Sequence, residues 1–475
     1  MRNIRELKEE DIVQLIEIDD ICRNKYLNKF VRILCNNGYN QVFSLDGAWG
    51  SGKTTFVKKL ELLINFYSFY ENGEKIENNN YVSENTELSE SSIKKLETIS
   101  TSENYKQIKE MIRNTNLNAI YFNAWEHDDE TDPIISIIYE IVNKFDLLDS
   151  TKRIGSGNFI DNLKSLVSLL TLGSINLGTL IEEIDIASSV RLKGEIKNAL
   201  SETLNDIINE NCQKLVIFID ELDRCKPDYA INLLEKINHY VNDDRVIIVL
   251  STNIKELIHT ISAKYGNEFS AERYLDKFID ERLFLPAIPL DYYLRTFDSK
   301  IQIGDSNWLS IVTTHFIKKN NLEMREINRY MGCMRHFEKY IFEIIPFDNH
   351  MRVIYSVFIP YIVGLYTTSH IKFDNFKKGD GYSEFKEFVS SNKSIIRLCK
   401  RSFYGNEQDI EDVKMFNDLQ NYYNLIFKEK DSVASIKLDN YIIYKDSFKF
   451  LENNISLLGD IAEFQEIKMA NVDEK

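Results

Sequence analysis

The chain has 475 residues, more than one ordinary domain holds, so two packed domains or one domain with large insertions are expected. Its hydrophobic fraction of 43% suffices for a normal core, and a formal net charge of -16 argues against broad non-specific binding to nucleic acid or anionic lipid unless a local basic patch overrides it. Cys22, Cys35, Cys212, Cys225, Cys333 and Cys399 lie far apart, which excludes zinc or thioredoxin spacing and a disulfide framework and points to a reducing, cytoplasmic setting.

In chain order, Asp11 to Asn37 is expected to form one entry helix, with Tyr26, Leu27, Phe30, Val31 and Leu34 on one face and Gly38 as its C-terminal cap. No apolar signal-peptide core precedes it. A short apolar strand, Gln41 to Leu45, then runs into Gly47-Ala48-Trp49-Gly50-Ser51-Gly52-Lys53-Thr54-Thr55, and a helix from Thr55 to Phe66 follows. That order makes a phosphate-cradling loop, because glycines let successive N–H groups face a phosphate at a helix N-terminus. Lys53 is placed to reach the β- and γ-phosphates of ATP, and the Thr54 hydroxyl to bind Mg²⁺.

A polar stretch, about 70–116, is rich in Glu, Asn, Ser and Lys and reads as an exposed, partly disordered insertion. Core sequence resumes with a strand over 118–123 and a helix over 133–146. A second insertion, about 150–193, holds the uncharged run from Ser165 to Ile181. That run is slightly short for a membrane span and carries two glycines and an asparagine, so it reads as an insertion, with lipid docking as the alternative. His127, beside Asp128 and Asp129, reads as a solvated loop histidine rather than a metal ligand.

A helix over 194–211, a strand over 214–219, a helix over 229–241 and a strand over 245–250 complete the alternation. Apolar strands alternating with helices predict a parallel α/β sheet with helices on both faces, covering 1–290. From 291 to 475 helical patterns dominate and predict an α-helical C-terminal domain. It includes a buried helix over Val353 to Thr368 and a core of aromatics such as Phe403, Tyr422 and Tyr423.

The strand at Val216 to Ile219 ends in Asp220-Glu221. Asp220 at the strand tip can hold the Mg²⁺ shell, and Glu221 can orient and deprotonate an attacking water. Asp223 and Arg224 fit either a helix cap and local ion pair or a catalytic part. The next strand ends Ser251-Thr252-Asn253, where Thr252 or Asn253 either positions that water or caps a helix.

These blocks resemble the KAP family of P-loop NTPases, related to the STAND and AAA+ ATPases. The resemblance rests on the loop with Trp49, Tyr121-Phe122-Asn123-Ala124-Trp125, Ile219 through Cys225, Tyr274 through Phe278 with Pro286, and Met324 through Tyr330. It spans about residues 20 to 340. It implies an ATPase in which Arg325 senses the γ-phosphate and Arg273 reaches a neighbouring subunit of a homo-oligomer. Many members carry Asp where this chain has Asn253. The resemblance also implies a switch in phage exclusion or a similar conflict, with protein partners encoded nearby. Two other classes remain as alternatives: a nucleotide-gated scaffold with little hydrolysis, and an organiser attached peripherally to the inner membrane. A nucleic-acid motor is a third.

Overall fold

The computed structural model describes residues 8–19, 23–36, 41–71, 74–75, 88–130, 132–145, 159–174, 186–241, 243–286, 290, 308–341, 353–404, 410–428, 435–438 and 441–444. They divide into two compact units, 1–293 and 294–475.

The first unit opens with α1 (Glu9–Ile18) and α2 (Asn24–Asn36), so the single entry helix expected from Asp11 to Asn37 is broken in two. The break falls at Asp19, whose backbone turns left-handed with φ 43°. Its carboxylate Oδ1 then accepts the Arg23 N–H at 2.9 Å and the Asn24 N–H at 3.1 Å, serving the otherwise orphaned amides that open α2. Gly38 lies outside the described residues.

Next come β1 (Gln41–Asp46), α3 (Lys53–Phe69) and a small hairpin of β2 (Tyr70–Glu71) and β3 (Glu74–Lys75). The polar insertion is a correction. Its second half folds as α4 (Glu90–Ser100) and α5 (Glu103–Thr115), which pack on α1, α2 and α3. Leu96, Tyr105, Ile108 and Ile112 are buried in the main core. Overall polarity conceals helical spacing: only one stripe of each helix is apolar, and that stripe faces inward.

The remaining elements of the unit are β4 (Leu117–Asn123), α6 (Pro133–Lys144), α7 (Phe159–Ser174), α8 (Ile186–Asn211), β5 (Lys214–Asp220), α9 (Pro227–Tyr240), β6 (Val246–Thr252), α10 (Ile254–Tyr265), α11 (Ala271–Leu275) and β7 (Glu281–Phe284). The uncharged run is helical as far as Ser174, with Leu166 and Leu170 buried and α7 packed against α8; 175–185 lie outside the described residues. Among the described residues, no helix is long and apolar enough to cross a membrane.

Among the described residues, five strands of this unit form one parallel sheet in the order β4-β5-β6-β1-β7, flanked by helices. Every residue of β6 is buried, as a central strand covered on both faces requires. Register does the functional work. Asn123 lies beside Asp220, Asp220 beside Ser251, and Asp46 beside Thr252, so four strands end together at the carboxyl edge of the sheet. Ligands of open α/β sheets bind outside that edge. The edge strand β7 was not foreseen; four residues, Glu-Arg-Leu-Phe, carry too short a pattern. Two reciprocal bonds between Val42 and Asp280, at 2.8 and 2.9 Å, set its register on β1.

The second unit contains α12 (Trp308–Lys319), α13 (Met324–Ile341), a π-helical turn (Ile354–Phe358) running into α14 (Ile359–Thr368), α15 (His370–Lys377), α16 (Tyr382–Ser390), α17 (Lys393–Tyr404) and α18 (Asp412–Tyr423). Aromatic rings fill it: Tyr361 lies 4.8 to 5.9 Å from the rings of Phe388, Phe385, Phe376 and Phe316. Gly364 is required by close approach, since a Cβ there would come within 2.5 Å of the Phe316 ring. Helices do not continue throughout, because an antiparallel pair, β8 (Ser435–Leu438) and β9 (Tyr441–Tyr444), follows.

If α4 and α5 belong to the core, Ile112→Ala should lower unfolding stability by about 2–5 kcal/mol, the cost of a cavity at a well-packed site. Urea titration followed by circular dichroism measures it. A change below about 0.5 kcal/mol, the size of a surface substitution, would mean that the two helices merely ride on the surface.

Candidate functional site

The loop after β1 is shaped by its glycines. Gly50 and Gly52 adopt left-handed φ of 76° and 86° on either side of Ser51, a conformation costly for other residues. Left-handed residues in a short loop favour a backbone concavity of the kind that binds anions, and here the Ser51 N–H closes the turn by donating to the Ala48 carbonyl at 3.1 Å. A Cβ on Gly47 would stand 2.7 Å from Ser51 Oγ and 3.4 Å from Lys53 Cγ, so the cradle has no room for one. Gly52 then caps α3, and the Phe56 N–H donates to its carbonyl at 3.0 Å. The Lys53 ammonium is buried and donates to the Gly47 and Ala48 carbonyls across the loop. Burial pushes its pKa down, opposed by the charges of Asp223, Asp220, Glu221 and Asp46. Ser51 Oγ is buried without a hydrogen-bond partner inside the same turn, the kind of orphaned group a ligand satisfies.

Facing the loop is an acidic wall made by the end of β5. Asp220 is buried; its Oδ1 accepts the Glu221 N–H at 3.0 Å and its Oδ2 accepts the Tyr121 hydroxyl at 3.1 Å. Burial and Asp220 together push the Tyr121 phenol well above its usual range, so it stays a donor. Glu221 takes a left-handed backbone with φ 62°, an outlier of the sort that collects at functional sites. That turn carries its Oε1 to 3.4 Å from the Thr54 hydroxyl, while Oε2 pairs with the Arg224 guanidinium. Arg224 also lies 5.6 Å from the Trp125 ring centre, a cation–π contact.

Asp223 joins the two walls. Its Oδ2 accepts the indole N–H of Trp49 from the loop, and its Oδ1 accepts the Thr252 hydroxyl from the tip of β6 at 2.9 Å. Asp46, at the end of β1, accepts the Ile254 N–H that opens α10 at 3.1 Å. Behind the loop, the buried guanidinium of Arg23 donates to the Ser51 carbonyl and, at 2.6 Å, to that of Pro286.

A family model described as the KAP family P-loop domain matches residues 23–341, well over half of the chain. The chain belongs to the KAP family of P-loop domains. Membership makes it a nucleotide-binding protein of the NTPase class. The match starts at Arg23 and runs through α13, beyond the first compact unit. No curated protein gives a significant match.

Within this KAP domain, Lys53 feels the charges of Asp220 and Glu221, and Thr54 meets Glu221, with Gly47 to Thr55 as scaffold. Asn253 is buried at the start of α10, where its carbonyl accepts the Leu257 N–H and its side chain makes no capping bond. Arg273 is exposed on α11, and among the described residues none of the contacts that knit the loop to the acidic wall involves it. Arg325 is exposed near the start of α13, in the second unit. His127 stacks on Phe122 and pairs with Glu130 at 2.9 Å and Glu140 at 3.5 Å.

Two groups of the KAP site, Asp46 and Arg23, are not singled out by the sequence, and two others, Asp223 and Tyr121, make bonds it does not announce. Asp223 is neither a helix cap nor idle, because Glu221 holds the cap position of its turn. Tyr121 is legible only as part of a family block, and Asp46 lies just past the expected strand, Gln41 to Leu45, which extends by one residue to include it. Arg23 gave none, since it stands 28 residues before the carbonyl it holds.

Asp223→Ala should cost about 1.5–3 kcal/mol of stability, one charge-assisted hydrogen bond, because Trp49 and Thr252 lose a shared acceptor. Equilibrium urea unfolding checks it. A loss within about 0.5 kcal/mol of zero, as for an ordinary surface substitution, would show that the bridge carries no weight.

Proposed function

We propose that the protein is an Mg²⁺-dependent ATPase whose hydrolysis drives a conformational or assembly switch. The observation carrying this reading is the approach of the Thr54 hydroxyl to the Glu221 carboxylate at 3.4 Å, which brings the phosphate loop against the acidic strand end. Thr54 and Asp220 offer one oxygen donor each. Among the described residues, no group of three His, Cys, Asp or Glu could hold a metal by itself. Such a sparse oxygen set fits Mg²⁺, which keeps waters and takes further oxygens from substrate phosphates. When bound, Mg²⁺ would neutralise charge on the β- and γ-phosphates.

The chain's own residues do the rest. Loop N–H groups and the Lys53 ammonium bind and orient the phosphates, while Trp49 and Asp223 hold the loop against the acidic wall. Glu221 takes a proton from the water that attacks the γ-phosphorus; the bond to the bridging oxygen breaks and ADP leaves. Asn253, just after the strand that lies beside β5, would help place that water; Arg325 and Arg273 would bring guanidinium charge to the transferring group, two roles that rest on the family resemblance. So does the setting in phage exclusion, with partners encoded nearby.

The Arg224 ion pair on Glu221 favours a second reading, a nucleotide-gated scaffold that turns over slowly because its base is occupied. One assay separates the two. Phosphate release should fall by about a hundredfold or more in Glu221→Gln, the usual weight of a general base, with ATP affinity retained. Equal turnover in both proteins removes Glu221 as base. ATP binding without phosphate release in the wild type selects the scaffold. EDTA should abolish release, and release that persists in EDTA contradicts Mg²⁺ dependence.

A further inference from the structure

Amides that face a phosphate oblige their neighbouring carbonyls to face away, and a buried carbonyl needs a donor. Ser51 sits between the two left-handed glycines, so its carbonyl is turned out of the cradle. The donor it finds is not in the loop. It is Arg23, which spans the carbonyls of Ser51 and Pro286 with two nitrogens of one guanidinium.

Several features mark Arg23 as more than packing. It is 3% exposed, and no carboxylate of a described residue acts on its guanidinium. Burial lowers its pKa to about 10, which still leaves it charged at neutral pH. Its Nε is buried without a partner. A buried cation is costly to keep, and among the described residues its partners are two carbonyls of and beside the phosphate loop. Gly52 also leaves space for it: a Cβ there would stand 3.0 Å from Arg23 Nη1. The cap of α2 fixes its base, since Asp19 accepts the N–H of Arg23 itself.

We propose that Arg23 is a positioning residue for the nucleotide: by tying the Ser51 carbonyl to that of Pro286, it holds the loop amides toward the phosphates and places positive charge behind them. The proposal rests on the nucleotide-site reading of the same loop. A lysine could not replace Arg23, because an ammonium keeps the charge but lacks the planar fork that spans two fixed carbonyls.

Calorimetric titration of the full chain with Mg-ADP tests it. Arg23→Ala should weaken ADP binding about tenfold to a hundredfold, the weight of a charge-assisted bond. Arg23→Lys should fall between it and wild type. Guanidinium ion, well below denaturing concentration, should restore part of the lost affinity to Arg23→Ala, and urea at the same concentration should not. A purely structural arginine would not give that selective rescue. If Arg23→Ala does not fold, Arg23→Lys carries the comparison against wild type. Unchanged affinity overturns the proposal, as does a loss that guanidinium leaves untouched and that follows only the melting temperature of the ligand-free protein. A wild type that binds ADP no better than Lys53→Ala overturns the nucleotide reading itself, and the role of Arg23 with it.

Discussion

A phosphate loop must present N–H groups to its ligand, and the six residues between β1 and α3 hold that shape with one internal backbone bond, from the Ser51 N–H to the Ala48 carbonyl, and with help from outside. Here the shape is held from three sides. Gly50 and Gly52 supply the backbone conformations, Arg23 takes the Ser51 carbonyl from behind, and Asp223 takes the Trp49 indole from the front. Lys53 closes the mouth by donating to the Gly47 and Ala48 carbonyls. The cradle is thus held by contacts within the chain, and holding a loop in its binding shape lowers the cost of ordering it on binding.

The sheet turns this local device into a site. Because β1, β4, β5 and β6 are parallel and end within one residue of each other in register, their last residues line one edge: Asn123 beside Asp220, and Thr252 beside Asp46 one step further on. Each then has a distinct task. Asp220 is held by Tyr121 and the Glu221 amide, Thr252 anchors Asp223, and Asp46 caps α10. Glu221, one residue beyond Asp220, leaves that edge through a left-handed backbone turn that aims its carboxylate at Thr54. A strand end that simply continued would point the carboxylate elsewhere.

The nucleotide loop and the acidic pair were legible in the sequence because each depends on consecutive residues with a fixed local geometry. The three central strands and their helices were legible for the same reason, through periodicity. What the sequence hid was long-range or brief. Arg23 and Pro286 meet across 263 residues, and Trp49 and Asp223 across 174, so no local pattern announces either bond. The edge strand β7 is four residues long and is specified by Asp280 bonding to Val42, outside its own span. In α4 and α5, composition misled: polar residues outnumber the apolar stripe of Leu96, Ile108 and Ile112 that joins the core. The split at Asp19 was hidden because a left-handed aspartate inside an apolar period leaves the period intact.

The account stands on the claim that this cradle binds a nucleotide through its phosphates. Calorimetric titration of the wild-type chain and of Lys53→Ala with Mg-ATP tests it most directly. The account predicts saturable binding to the wild type and its loss when the buried ammonium is removed. Equal binding by both proteins, or none by the wild type, would contradict it.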